Sequence, residues 1–310
     1  MKINILIPVF NDWESCACLI RDIRKCFQSY PDHEVQYVVV DDCSTDREED
    51  RFDSAAGDLR IIRLNRNVGH QRAIAIGLCF LNDHANADYV VVMDGDGEDK
   101  ASDIPALLAK AANENGKIIF GTRKRRYEGF WFRFFYFLYK SIYRILTGQR
   151  ISFGNFCAIP FGKVNNLVYV SDIWNHFSGG IIRSRLPYGA LPLDRGTRYH
   201  GHSKMNFFTL VIHGLSAIAV YTDILAVRIL VSTFFLICIA LIGILTVTAI
   251  RFFTPFAIPG WASFVVLSFL IIIFQAFLIS LLLLFNVLSY RTQRHFIPAL
   301  EYQNFISGNK

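Results

Sequence analysis

Over the first part of the chain, short apolar runs alternate with longer stretches of helical spacing. The runs predict strands at Ile3–Val9, Gln36–Val40, Arg60–Leu64, Asp88–Met93 and Lys117–Gly121. The spacing between them predicts helices at Trp13–Ser29, His70–Asn82 and Ser102–Asn115. Nearly unbroken Val and Ile runs suit strands buried on both faces, and their alternation with helices implies a largely parallel sheet in an α/β fold. Several strands run into polar loops: Pro8–Asp12, Asp41–Asp46, Asn65–Gly69 and Asp94–Asp96. Open α/β sheets bind ligands beyond the carboxyl ends of their strands, so these loops are expected to converge on one crevice.

The pattern changes in the second part. No charged residue occurs from Ile229 to Ile250, nor from Phe252 to Tyr290. Each stretch is long enough to cross roughly 30 Å of hydrocarbon at about 1.5 Å per residue. Two spans are expected, Leu225–Ile250 and Trp261–Ser289, within a membrane region at 225–290. Pro255, Pro259 and Gly260 break the connector, and Trp261 and Tyr290 stand where interfacial anchors are expected. A buried helical hairpin is the alternative, but core helices seldom run so far without a charged flank. Before the spans, Phe130–Leu146 is mostly aromatic or aliphatic, with Arg133, Lys140 and Arg144 on one helical stripe. That suits a helix of about 129–147 lying in the membrane interface, or a buried helix whose basic side chains snorkel. The expected organisation is a domain at 1–202, a juxtamembrane helix at 203–224, the membrane region, and a tail at 291–310.

Composition narrows the class. Of 310 residues, 53% are hydrophobic and 19% charged, which excludes a disordered chain. The 7 Cys are scattered without metal-site spacing, which excludes a small disulfide scaffold and fits a reducing compartment. Net charge is +6 but unevenly divided. Residues 1–116 carry 12 Lys+Arg against 21 Asp+Glu; residues 117–310 carry 20 against 5. A basic block beside membrane spans points to lipid headgroups or phosphates, and no nucleic-acid-binding motif is present. The start MKINILIPVF does not read as a signal peptide, because its apolar run is short and Pro8 breaks it. The basic excess flanking the spans places the domain and both termini in the cytoplasm, in the inner membrane if the source is bacterial.

The sharpest chemistry lies in VVVMDGDGED, residues 90–99. A buried strand delivers Asp94 and Asp96 to one exposed end, and Gly95 lets a ligand approach the backbone. Hard oxygen ligands in a short loop suit Mg²⁺ or Mn²⁺ shared with a diphosphate, although acidic turns are also common as plain structure. Asp41, at the end of QYVVVDD, is placed to accept hydrogen bonds from a ribose or base, whereas Asp42, Ser44 and Asp46 read better as capping groups. In NRNVGHQRAIAIG, Gly69 opens a helix; it fits a simple turn as well as a wall of a nucleotide pocket.

IPVFND, VVVDDCSTD, LNRNVGHQRAIAIG, VVVMDGDGEDKASDIPALL and GTRKRR, in this order, resemble the family-2 glycosyltransferases of GT-A (Rossmann-like) fold. The two spans and the preceding RGTRYHGHSKMNF look like the polyprenyl-phosphate branch, which includes dolichyl-phosphate mannose synthases and undecaprenyl-phosphate sugar transferases. The resemblance implies that Pro8, Phe10 and Asp12 form a nucleotide-contacting loop, and that Val39 and Asp41 meet base and ribose. It implies a diphosphate and metal motif at Asp94, Gly95 and Asp96, with Glu98 as a further oxygen ligand where the family usually has Gln. It sets Arg123 near a phosphate and makes Arg198 and Lys204 a basic pair over the diphosphate; by themselves these two read as solvated surface. Many relatives carry Asp where Asn155 stands. Asn cannot act as a general base, but a lipid phosphate is already an anion and needs positioning more than deprotonation.

The resulting expectation is a membrane-bound, inverting transferase that moves one sugar from a UDP- or GDP-sugar to a polyprenyl phosphate at the cytoplasmic leaflet. It would be metal-dependent and, by resemblance, homo-oligomeric. A processive polysaccharide synthase is the alternative enzyme, but its Gln-x-x-Arg-Trp motif is absent. A non-catalytic membrane scaffold with a degenerate transferase domain is the other alternative, kept open by Glu98 and Asn155.

Overall fold

The structure is a computed structural model that describes residues 1–46, 52, 57–114, 116–123, 141, 143–148, 153–200, 214–254, 260–292 and 296–308. The chain divides into two units. One comprises Met1–Leu138, Arg150–Val220 and His295–Lys310; the other comprises Tyr139–Gln149 and Tyr221–Arg294.

The first unit is built on a 7-stranded sheet. Its strands are β1 (Lys2–Val9), β2 (Glu34–Asp41), β3 (Leu59–Arg63), β4 (Tyr89–Val92), β5 (Ile118–Arg123), β6 (Cys157–Pro160) and β7 (Tyr188–Leu193), in the order β3-β2-β1-β4-β6-β5-β7. β1, β2, β3 and β4 are mutually parallel, and β6 runs antiparallel to β4 and β5. β1 to β4 coincide closely with the expected strands. β6 and β7 were not expected, for identifiable reasons. β6 has only 4 residues, too few for periodicity to register. β7 carries Gly189 and Pro192 and lies at the sheet edge, where a missing backbone donor is tolerated.

Side chains alternate strictly between two cores, as the pleat requires. Ile3, Ile5, Ile7, Val39, Val91 and Met93 face one side, with α1 (Trp13–Phe27) and α3 (Ile104–Asn113). Leu6, Val38, Val40, Val90 and Val92 face the other. There they meet α2 (His70–His84), α4 (Phe161–Val168), α5 (Phe177–Arg183) and the chain's last segment, including α8 (Pro298–Glu301). Gly77 lets α2 lie this close to the sheet: a Cβ there would sit 2.3 Å from Leu6 Cδ1 and 2.9 Å from Val40 Cγ2. At the end of β2, the Asp42 carboxylate accepts the backbone N–H groups of Val68 (2.7 Å) and Gly69 (2.9 Å). It thereby fixes the entry to α2.

The second unit holds two long apolar helices, α6 (Thr222–Phe253) and α7 (Trp261–Thr292). Both are long and apolar enough to cross a membrane. They pair antiparallel: Thr233 Oγ1 lies 2.7 Å from Ser280 Oγ, and Gly243 faces the Phe269 ring. The buried positions of α6 are Ala226, Thr233, Ala240 and Val247. That seven-residue repeat is the signature of a left-handed helix pair. Most remaining positions are exposed and apolar, which suits lipid rather than water. Of the expected interfacial helix, residues 141 and 143–147 are described: Thr147 Oγ1 donates to the Tyr143 carbonyl, and an Arg228 guanidinium N–H donates to the Ile145 carbonyl. Arg144 is exposed, whereas Arg133 and Lys140 lie outside the described residues.

Two substitutions test this packing. Gly77→Val is expected to destabilise the protein by about 1–3 kcal/mol, read as a lowered unfolding midpoint in denaturant. Asp42→Ala leaves two inward-facing N–H groups without their acceptor and is expected to cost roughly 2–4 kcal/mol in the same assay.

Candidate active site

The carboxyl ends of β1, β2 and β4 lie side by side, with Val9 in register with Asp41 and Leu6 with Val92. The loops beyond these ends are laced together. Asn11 adopts a left-handed backbone conformation (φ 49°), and its Oδ1 accepts the N–H groups of Thr45 (2.8 Å) and Asp46 (3.3 Å). Asn11 N–H donates to Ser44 Oγ (2.9 Å), and Trp13 Nε1–H donates to the Asp46 carbonyl (2.7 Å). Asp41 Oδ1 accepts the Ser44 N–H at 2.8 Å. Pro8 is buried beside these contacts, Phe10 is exposed, and Asp12 precedes α1 without capping it. Val39 is fully buried in the core and brings no side-chain surface to the crevice. Burial pushes the Asp42 carboxyl above the usual range, against the hydrogen bonds from Val68 and Gly69 that favour its charge.

β4 delivers the second acidic loop. Asp94 Oδ1 lies 2.9 Å from His70 Nε2, at the start of α2, and 3.4 Å from Asn155 Nδ2, just before β6. Asn155 Oδ1 in turn accepts from Gln71 Nε2 (3.1 Å), and Gln71 Oε1 accepts the N–H of Phe177 (2.7 Å). Burial lowers the His70 pKa, but the Asp94 carboxylate, with Asp42 and Asp96 behind it, outweighs that and raises it overall. Asp96 Oδ1 accepts the Glu98 N–H (2.9 Å), and Asp96 Oδ2 accepts from Arg198 at 2.6 Å. Burial pushes the Asp96 carboxyl up, and the Asp94 and Glu98 charges add to that. Glu98 pairs with Arg195.

The Arg195–His200 segment is strapped over this loop by its backbone as well as its charges. Gly196 N–H donates to the Glu98 carbonyl (2.8 Å) and Tyr199 N–H to the Asp96 carbonyl (3.0 Å). Gly97, at φ 87°, is overlain by the Tyr199 ring; a Cβ there would lie 2.2 Å from it. The Tyr199 hydroxyl donates to Asp22 of α1, which ties the strap to the opposite wall.

The structure therefore gathers Asp94, Gly95, Asp96, Glu98, Asn155 and Arg198 in one place and sets Asp41 at the end of β2. Arg123 ends β5, its side chain outside the described residues, and Lys204 lies wholly outside them. His70, Gln71, Arg195 and Tyr199 escaped the sequence reading. The signal for the first two was their place directly after Gly69, where the polar loop meets a helix. Among the described residues, no three His, Cys, Asp or Glu side chains converge so as to hold a metal ion. Asp94 and Asp96 nonetheless offer hard oxygen donors at one strand end. That fits an ion held by one or two carboxylates and completed by substrate phosphates.

Comparison with known proteins bears on what this site does. An undecaprenyl-phosphate 4-deoxy-4-formamido-L-arabinose transferase of Proteus mirabilis is 36% identical over 137 residues, covering 43% of this chain and 40% of that protein. A dodecaprenyl-phosphate galacturonate synthase of Rhizobium johnstonii is 29% identical over 137 residues, covering 43% and 39%. The chain thus spans about two fifths of the length of these relatives. Among solved structures, glucosyl-3-phosphoglycerate synthase from Mycobacterium tuberculosis, in complex with Mn²⁺, UDP-glucose and phosphoglyceric acid, is similar with a TM-score of 0.52 at 16% identity, over 72% of this chain and 79% of that one. Mannosyl-3-phosphoglycerate synthase from Rubrobacter xylanophilus is similar with a TM-score of 0.50 at 15% identity, over 71% and 72%. At these identities the likeness is one of fold, and the first unit has the GT-A fold. Residues 4–173 match the model of glycosyl transferase family 2, more than half of the chain, and the protein belongs to that family.

Proposed function

We propose that this protein transfers one sugar, with inversion, from a UDP- or GDP-sugar to a polyprenyl phosphate at the cytoplasmic face of a membrane. The observation that carries the proposal is the Asp94–Asp96 pair at the end of β4, ringed by His70, Asn155 and Arg198 and followed in the same chain by two helices fit to cross a bilayer. The curated relatives' names, both transferases or synthases of polyprenyl-phosphate sugars, support the acceptor class.

The roles rest on the chemistry of each group. Pro8, Phe10, Asp12 and Asp41 line the nucleoside end, and Val39 supports them from the core of β2. Asp94 and Asp96 would hold Mg²⁺ or Mn²⁺, and Glu98 would join them only on leaving Arg195; the Mn²⁺ in the Mycobacterium complex supports a divalent ion in this fold. When bound, such an ion neutralises charge developing on the departing nucleotide diphosphate. Gly95 lets this loop pack against β1, since a Cβ there would lie 3.2 Å from Ile7 Cγ2, and so sets the acidic pair close to the nucleoside end. Arg123, Arg198 and Lys204 balance phosphate charge. Asn155 orients the acceptor phosphate, whose oxygen is already anionic and needs no base.

The same reading assigns residues 1–202 to the catalytic domain, 203–224 to a juxtamembrane helix and 225–290 to the membrane, with a homo-oligomer as the working state. Return of the last segment to the first unit, after two antiparallel helices, supports placing domain and tail on one side of the membrane. Arg291 and Arg294 support the cytoplasmic side.

Asp96→Ala is expected to lower sugar transfer at least ~100-fold, measured as radiolabel from the nucleotide-sugar recovered in extracted lipid phosphate. Activity at the wild-type level would remove the role given to that carboxylate. Arg198→Ala is expected to reduce kcat/KM for the donor by about 10–100-fold, the size of one lost charge-assisted hydrogen bond, in steady-state kinetics with a donor series.

A further inference from the structure

Residues 296–308 come after α7 and pack back on the first unit, and no role given so far uses them. Their contacts concentrate on one loop. Leu64, just past β3, forms an antiparallel bridge with Ile306. Asn65 N–H donates to the Phe305 carbonyl and Ser307 N–H to the Arg63 carbonyl, both at 2.8 Å. Asn65 Nδ2 reaches the carbonyls of Asn304 and Ile306, both at 3.3 Å. Phe305 then meets the loop directly at Arg66 and reaches the start of α2 only through Trp174. The Arg66 guanidinium lies 5.6 Å over the Phe305 ring. Arg72 lies 5.7 Å over Trp174, itself 5.1 Å from Phe305 and 4.2 Å from Phe296. Further along α2, the buried Tyr302 donates its hydroxyl to Asp83 at 2.7 Å.

The loop needs such support. Leu64 and Val68 anchor it by burial and Asp42 holds its end at Val68 and Gly69, but Asn65, Arg66 and Asn67 between them are exposed and polar. Polar loops of this kind sit at the low end of local stability. Yet the residues it leads into, His70 and Gln71, touch Asp94 and Asn155.

We propose that the C-terminal tail is a positioning element for the transferase site: Phe305 and its neighbours hold the β3–α2 loop so that His70 and Gln71 keep Asp94 and Asn155 in place. The proposal rests on the transferase reading for its kinetic consequence, but not for its structural one. Residues in such a contiguous chain of packed and hydrogen-bonded groups couple energetically, whereas weakening a tail that only covers the edge of β3 lowers stability without coupling to Gln71.

The experiment uses the full-length protein in lipid nanodiscs, with variants Phe305→Ala, Phe305→Tyr, Gln71→Ala and the Phe305→Ala/Gln71→Ala pair. Hydrogen exchange of 64–72 and steady-state transfer to polyprenyl phosphate are measured on each. Phe305→Ala is expected to speed exchange of that segment at least ~10-fold while leaving β1 and β4 unchanged, with Phe305→Tyr close to wild type. Its kcat is expected to fall about tenfold with donor KM within about twofold, and the pair to fall no further than Gln71→Ala alone. Unchanged exchange at 64–72, or fully multiplicative losses in the pair, overturns the proposal. If the wild type transfers no sugar to any lipid phosphate, it is the transferase reading that fails, and the exchange arm still decides whether the tail holds the loop.

Discussion

The organising constraint is the crowding of carboxylates at the carboxyl ends of the parallel strands in a mixed sheet. β1, β2 and β4 run the same way, so their loops deliver Asp41, Asp42, Asp94, Asp96 and Glu98 into one region. In a partly desolvated crevice such charges oppose burial and one another, and Asp42 and Asp96 are both pushed above the usual carboxylate range. The fold compensates these acids from two segments distant in sequence, the entry to α2 and the 195–200 strap. Backbone N–H groups of Val68 and Gly69 serve Asp42, His70 serves Asp94, Arg198 serves Asp96 and Arg195 serves Glu98. The acid cluster thereby holds together parts of the chain that are far apart in sequence. The same charges that make the site attractive to a cation and a diphosphate also organise the loops around it.

Charge is divided along the chain in a way that serves both ends of the proposed reaction. The acidic first 116 residues build the crevice, and the basic remainder supplies the strap and the flanks of the spans. The strap is more than a charged cover. Its Gly196 and Tyr199 backbone groups bond the acidic loop, and Tyr199 ties both to Asp22 on α1. Gly97 makes that stacking possible, because its positive φ and missing side chain leave room for the ring.

α6 and α7 pair through a seven-residue repeat of small side chains, which lets the backbones approach where no hydrophobic force favours their contact in lipid. Beyond α7, the chain is drawn back to the first unit by an aromatic cluster of Phe296, Phe305 and Trp174 and by pairing beside the open edge of β3. One short segment thus both shields a strand edge and meets the helix that carries His70.

The local code was sufficient for much of this. Val and Ile runs at β1, β2 and β4 specify strands buried on both faces, and long uncharged stretches specify α6 and α7, because burial and bilayer thickness act on every residue in the run. Asp94, Asp96 and Asp41 were legible because each sits at or just past the end of such a strand, and the ordered motifs were specific enough to indicate the family. Other features depended on distant partners. β6 and β7 are strands only because the sheet offers them neighbours; neither the 4 residues of β6 nor the Gly and Pro of β7 carry enough local preference. Val39 matched a motif position, but its rotation in the pleat turned its side chain into the core. The pairing of Asn155 with Asp94, of Arg198 with Asp96 and of Phe305 with Arg66 joins residues tens to hundreds of positions apart. Residue type and local spacing determine which elements form and where charge emerges. Only tertiary packing decides which charges meet, because an ion pair or a ring contact has no periodicity by which a sequence can announce it.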